Sequence, residues 1–282
     1  MANSSFRQSR LIEVGSDLTL YCEVAGRGAT PIIFIPGWSM DAKVFERQLI
    51  HFAASEKIQA IAYDPRGQGR SSKPLAGHFY DQRGRDLASL IMALSLKDVV
   101  LAGWSYGVLD ALAYVKQFGA GNVRAAILID GAPRGLGADP RRDWVWRSPE
   151  QHISANSVLR TLQHRATVSA ELAEWCLEAR EPEQWRWLTE ISEQTPDAIA
   201  ALTNEAAIYA DYETDLIRLC AERPVFVIVR EDWRAVVTDW TAANAPGVET
   251  VALGKHMMFW DRATAFNAFL DDFLGKLPLS GE

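Results

Sequence analysis

Val99-Val100-Leu101-Ala102-Gly103-Trp104-Ser105-Tyr106-Gly107 is the stretch on which the reading of this chain turns. Its four leading apolar residues form a run short enough for a strand buried on both faces. The residues that follow, 108–118, read as a helix. Between strand and helix a serine stands with a glycine two residues to either side. A strand that turns directly into a helix crowds its own backbone, so neither Gly103 nor Gly107 has room for a side chain. The turn pushes the Ser105 hydroxyl into the open at the end of the strand, as G-x-S-x-G does in a strand–turn–helix context. A serine hydroxyl is a poor nucleophile without a base in hydrogen-bond reach. Such a serine calls for a histidine and a carboxylate at the same sheet edge.

Outward from that turn, short Val/Ile/Leu runs alternate with longer helical patterns, the signature of parallel βαβ units. Strands are expected at 18–24 (near a sheet edge), 31–36, 58–63, 99–103, 125–129, 225–229 and 249–253, and helices at 42–54, 83–94, 108–118, 234–244 and 264–274. The alternation stops between about 135 and 219, a stretch that is helical in character and holds Trp144, Trp146, Trp175, Trp185 and Trp187. It reads as a helical cap inserted after strand 6 and lying over the C-terminal edge of the sheet. The expected domains are a core of 1–134 with 220–282 and a cap of 135–219.

Of five histidines, His256 stands out, because Gly254-Lys255-His256-Met257 falls between the last strand and the last helix. That loop opens at the same edge as Ser105. His51, His78, His152 and His164 read as surface or packing residues. The carboxylate must be buried enough to hold the imidazole tautomer and stabilise an imidazolium. Asp130, at the end of the strand 125–129, meets that description and is preferred; Glu231 and Asp232, after 225–229, are the alternatives.

With these residues in view the sequence resembles the α/β-hydrolase fold superfamily, over essentially its whole length. Two further stretches carry the resemblance: Pro36-Gly37-Trp38-Ser39-Met40-Asp41, similar to that family's oxyanion loop, and Asp64-Pro65-Arg66-Gly67-Gln68-Gly69-Arg70-Ser71, similar to its D-x-R-G-x-G-x-S turn. The resemblance implies a mostly parallel sheet flanked by helices, and an oxyanion hole made by the backbone N–H groups of Trp38 and Tyr106. The Asp64–Ser71 turn is expected to be structural. One departure stands out. Where the family's usual acid follows its seventh strand, this chain places Trp233, with Glu231 and Asp232 out of register. Some members take the acid from the position of Asp130.

Composition narrows the partners. With 29 basic against 36 acidic residues the net charge is −7, which disfavours nucleic acid. Arg134, Arg141, Arg142 and Arg147 cluster, but acids interleave and a solvated face is expected. Cys22, Cys176 and Cys220 are too few and scattered for a disulfide framework or a zinc site, which fits a reducing, cytoplasmic setting. No signal-like or membrane-spanning run is present. The expected activity is cleavage of a carboxylic ester or lactone of a small, largely apolar substrate, with no metal or organic cofactor. Trp38, Trp104, Trp144, Trp146, Trp185 and Met257 are the expected pocket, and the cap could also serve as a homodimer surface. The alternative is a cofactor-independent dioxygenase of the same fold cleaving a quinolone-type ring. Against it, Met40 stands where those enzymes carry a histidine.

Overall fold

A computed structural model describes residues 6–151, 157–178 and 181–277. Its strands are β1 (Arg7–Gly15), β2 (Leu18–Ala25), β3 (Thr30–Ile35), β4 (Ile58–Tyr63), β5 (Val99–Trp104), β6 (Val123–Ile129), β7 (Arg134–Leu136), β8 (Val145–Arg147), β9 (Val225–Val229) and β10 (Glu249–Ala252). Eight of them form one sheet in the order β1-β2-β4-β3-β5-β6-β9-β10, and β7 pairs with β8 separately. Only the β1–β2 and β2–β4 pairs are antiparallel; from β4 to β10 every neighbour is parallel. The parallel strands therefore all end at one edge.

The apolar runs follow from burial on both faces. Along β3, Ile33 and Ile35 face a core shared with Leu87, Leu90, Leu109 and Leu112. Ile32 and Phe34 face a second core with Phe45, Leu49, Phe266 and Leu270. Helices supply both covers: α1 (Glu46–Phe52, entered through a 3₁₀ turn at Ala42–Phe45), α2 (Tyr80–Ala93) and α3 (Gly107–Phe118) early in the chain. Between β8 and β9 the structure describes α4 (Ser157–Gln163), α5 (Arg165–Cys176), α6 (Pro182–Glu193), α7 (Asp197–Ile208) and α8 (Glu213–Glu222). After β9 come α9 (Arg234–Asn244), α10 (Met258–Asp261) and α11 (Ala263–Lys276).

Two features depart from the sequence reading. β1 was not expected; it forms the sheet edge, and β2, read at 18–24 as lying near an edge, stands next to it. Most of its residues are exposed, and only Ile12 and Val14 pack partly against the core, so its apolar signal is weak. β7 and β8 fall in a stretch that reads as helical, and at three residues each they are too short to impose a period. Among the described residues, no helix is long and apolar enough to cross a membrane.

Ile127 is fully buried in central β6. Ile127→Ala should destabilise the fold by about 2–5 kcal/mol through lost burial and the cavity left behind. The check is a lower urea midpoint with an unchanged m-value.

Candidate active site

The loops that follow β3, β5, β6 and β9 meet at the C-terminal edge of the sheet. Ser105 sits at φ 55° and Asp130 at φ 42°, both in the left-handed region that side chains normally avoid. Each is locked by a bond to the neighbouring strand: Ser105 N donates to Ile129 O at 2.9 Å and Asp130 N to Ile228 O at 2.7 Å. The glycines around Ser105 are required by contact. A Cβ on Gly103 would stand 2.6 Å from Gly107 O, and one on Gly107 would stand 2.2 Å from Ile35 O.

The loop carrying Trp38 packs directly on this turn, since a Cβ on Gly37 would lie 2.8 Å from the Ser105 Cβ. Its shape is fixed from the Asp64–Ser71 turn. Gln68 Nε2 donates to Gly37 O at 3.0 Å and to Met40 O at 2.5 Å. Arg83 Nη1 in turn donates to Gln68 Oε1 at 2.8 Å, while its other nitrogens hold Asp110 of α3 at 2.6 and 2.7 Å. This buried chain braces the Trp38 loop against the helix that begins after Tyr106. The backbone N–H groups of Trp38 and Tyr106 make no hydrogen bond to the protein among the described residues.

Nδ1 of His256 is hydrogen-bonded to Oδ2 of Asp130. Asp130 also accepts from the Arg230 backbone N at 2.8 Å and from Arg230 Nη1 at 2.9 Å. Burial acts most strongly on this carboxyl and pushes its pKa up, but the contact with His256 and the Arg230 guanidinium and backbone N–H outweigh it, leaving Asp130 below its ordinary range. Burial is also the foremost influence on His256; it outweighs the Asp130 contact and holds the imidazole pKa below 6.5. A neutral imidazole with Nδ1 fixed by a carboxylate presents Nε2 as a base. No hydrogen bond joins Ser105 Oγ to the imidazole among the described residues; what ties the two regions is Trp104, whose Nε1 donates to His256 O at 2.9 Å. The ring of Trp175, from α5, lies 4.1 Å from that of His256 and tilted 35° to it.

Ser105 opens into a cavity of about 360 Å³. Trp38, Tyr106, Trp146 and Trp175 give it aromatic walls, while Arg147, Arg160, Glu171 and Arg230 make it far from purely apolar. Several expected pocket residues lie elsewhere. Trp104 and Met257 are buried in the core beside His256, and Trp144 packs on Trp240 at 5.1 Å. Trp185 packs half-buried against the second core. The alternative acids Glu231 and Asp232 point to solvent, with side chains 56% and 74% exposed. Arg147, read from sequence as part of a solvated face, is half-buried and lines the cavity. His51 pairs with Asp271, His78 bonds Pro74 O, His164 is exposed, and His152 lies outside the described residues. Arg230 and Trp175 were not singled out. Arg230 had one available signal, its place directly after a buried strand.

The sequence profile of the alpha/beta hydrolase family matches residues 32–269. This chain belongs to the alpha/beta hydrolase family. Among solved structures, this hydrolase superposes on a bromoperoxidase from Bacillus anthracis (TM-score 0.85, 20% identity, 95% of this chain and 100% of that one). It does so equally on an esterase from Exiguobacterium antarcticum (TM-score 0.84, 22% identity, 95% and 100%). By sequence it is 34% identical to a non-heme chloroperoxidase of Streptomyces lividans, over 40% of this chain and 41% of that one. It is also 34% identical to the AB hydrolase superfamily protein YisY of Bacillus subtilis, over 43% and 44%. The chain thus spans less than half the length of these curated relatives.

Arg83→Met would leave Asp110 charged, buried and alone, which should cost about 3–5 kcal/mol of stability. Removing both charges in Arg83→Met/Asp110→Leu should recover most of it. Urea unfolding of the two variants checks the order.

Proposed function

We propose that this alpha/beta hydrolase cleaves a small carboxylic ester or lactone through an acyl-enzyme on Ser105, with His256 as general base and acid and Asp130 as its orienting carboxylate. The observation that carries the reading is Ser105 held at φ 55° at a strand end whose neighbour ends in the Asp130–His256 pair. In the first step His256 Nε2 takes the Ser105 proton as Oγ attacks the carbonyl carbon. The oxygen that gains charge is met by the N–H groups of Trp38 and Tyr106, each such donor being worth about 3–4 kcal/mol in comparable enzymes. The imidazolium then protonates the departing alkoxide. A water deprotonated by His256 releases the acid and restores Ser105. The step from Ser105 to His256 needs their hydrogen bond to close on substrate, as such bonds commonly do on going from the free enzyme to the complex.

Residues 135–219 act in this reading as a cap that walls the cavity over Ser105. An esterase and an enol-lactonase among the structural neighbours, and a bifunctional esterase/perhydrolase among the sequence relatives, are in keeping with this reading.

Three outcomes are expected. Ser105→Ala should abolish ester turnover and fluorophosphonate labelling without unfolding the protein; retained turnover would sink the mechanism. Asp130→Asn should lose roughly 10⁴-fold in kcat, as loss of the orienting carboxylate does in such triads. Glu231→Gln and Asp232→Asn should lose little. Because burial lowers the His256 pKa from its ordinary 6.5 and the base must be neutral, the acidic limb of kcat/KM should be centred below 6.5, with activity lost as pH falls through it. An acidic limb centred above 6.5 would contradict that environment.

A further inference from the structure

The charges lining the cavity do not balance. Arg230 is held by Asp130 at 2.9 Å, and Arg160 is held by Glu171 at 2.5 Å. Arg147 forms no ion pair among the described residues, and its Nη1 is buried without a hydrogen bond. Beside it on the same wall, the indole N–H of Trp146 is likewise buried and unpaired. A guanidinium cannot escape this situation by losing its proton. Leaving its N–H groups dry costs more than leaving neutral ones dry, so on the wall of a cavity a guanidinium with a donor unpaired favours an anion beside it. Nor is the side chain merely loose on a surface. Arg147 closes β8, where its carbonyl accepts from Gly137 N at 3.1 Å, so the strand pairing fixes its origin. The protein as a whole carries net charge −7, so an arginine left without an ion pair among the described residues of the Ser105 cavity is a local feature and not part of a general basic surface.

We propose that the substrate is an ester or lactone bearing a second, ionised carboxylate, seated on Arg147 with help from the Trp146 N–H while its carbonyl meets Ser105. The planar fork of a guanidinium matches the two oxygens of a carboxylate, which favours that anion. The aromatic walls then take the apolar middle of the molecule, and a cavity of about 360 Å³ limits it to modest size. This inference rests on Ser105 being the nucleophile, so its test must separate the two ideas.

Two matched pairs test it from either side of the scissile bond: 4-acetoxybenzoate against 4-acetoxybenzamide, and mono-4-nitrophenyl glutarate against 4-nitrophenyl pentanoate. The wild type should favour the charged member of at least one pair by roughly 10- to 100-fold in kcat/KM, chiefly through KM. Arg147→Gln should bring that ratio close to one, and Arg147→Glu should invert it, an outcome that a merely structural role would not produce. Arg147→Lys, which keeps the charge and loses the fork, should retain part of the preference and serves if the other variants fold poorly. A wild type indifferent to the carboxylate, or an Arg147→Glu that keeps the wild-type ratio, overturns the proposal. Should the wild type hydrolyse none of the four esters, the hydrolase reading fails separately. Calorimetric binding of glutarate monoanilide then decides: binding lost in Arg147→Glu upholds the anion site, and no binding to the wild type overturns it.

Discussion

Backbone crowding around Ser105 is the constraint on which the rest of the site depends. Three segments meet there with no space for a Cβ: Gly37 against the Ser105 side chain, Gly107 against Ile35 O, and Gly131 against Ser105 O. Contacts this close fix the distances between the Trp38 loop, the start of α3 and the loop after β6 without help from side chains. They also force strained turns, with Ser39, Ser105 and Asp130 all at positive φ. Such conformations cost about 1–3 kcal/mol each and persist only where surroundings hold them. The holding is a staircase of bonds along the sheet edge, from Ser105 N to Ile129 O, Asp130 N to Ile228 O, and Leu253 N to Val229 O. Each strand's end is thus pinned by a carbonyl of a strand beside it.

On this frame the charged groups are arranged in line. Asp130 stands between His256 and Arg230, accepting from both. Arg230 lies over the Trp233 ring at 3.7 Å and the Trp175 ring at 5.3 Å, so aromatic faces share in satisfying its charge. The position directly after β9 thus supplies a cation to the acid from β6. Trp233, buried under that cation, stands where sequence comparison looked for a carboxylate.

The fold was legible because its central strands are buried on both faces. Burial of that kind writes continuous apolar runs, and residues 31–35, 99–104 and 225–229 read directly as strands. Where burial is thin the message fades, as in β1, most of whose residues are exposed. Ser105, Asp130 and His256 could be picked out because each follows a strand-like run and each residue type has few other reasons to stand there. The cavity wall could be read only in part: Trp38 and Trp146 line it, whereas Trp104, Trp144, Trp185 and Met257 do not. Whether Trp146 or Trp144 faces Ser105 depends on how the short strand β8 and the residues leading into it pack, and both tryptophans look alike in sequence. Arg147 was hidden for the same reason: charge density along the chain says nothing about which arginine turns inward.

Trp175 gives this arrangement a thermodynamic consequence. It rides on α5, and the end of that helix is tied to the His256 loop by Met257 N to Cys176 O at 3.0 Å and Lys255 N to Glu178 Oε1 at 3.1 Å. The ring it lays over His256 is part of the burial that keeps the imidazole neutral. Any motion that lifts α5 rewets the imidazole and raises its proton affinity. By linkage the converse holds with equal strength: a proton taken up by His256 favours the lifted helix, and whatever presses α5 down expels that proton. The seating of α5 and the proton affinity of His256 thus rest on one and the same ring contact.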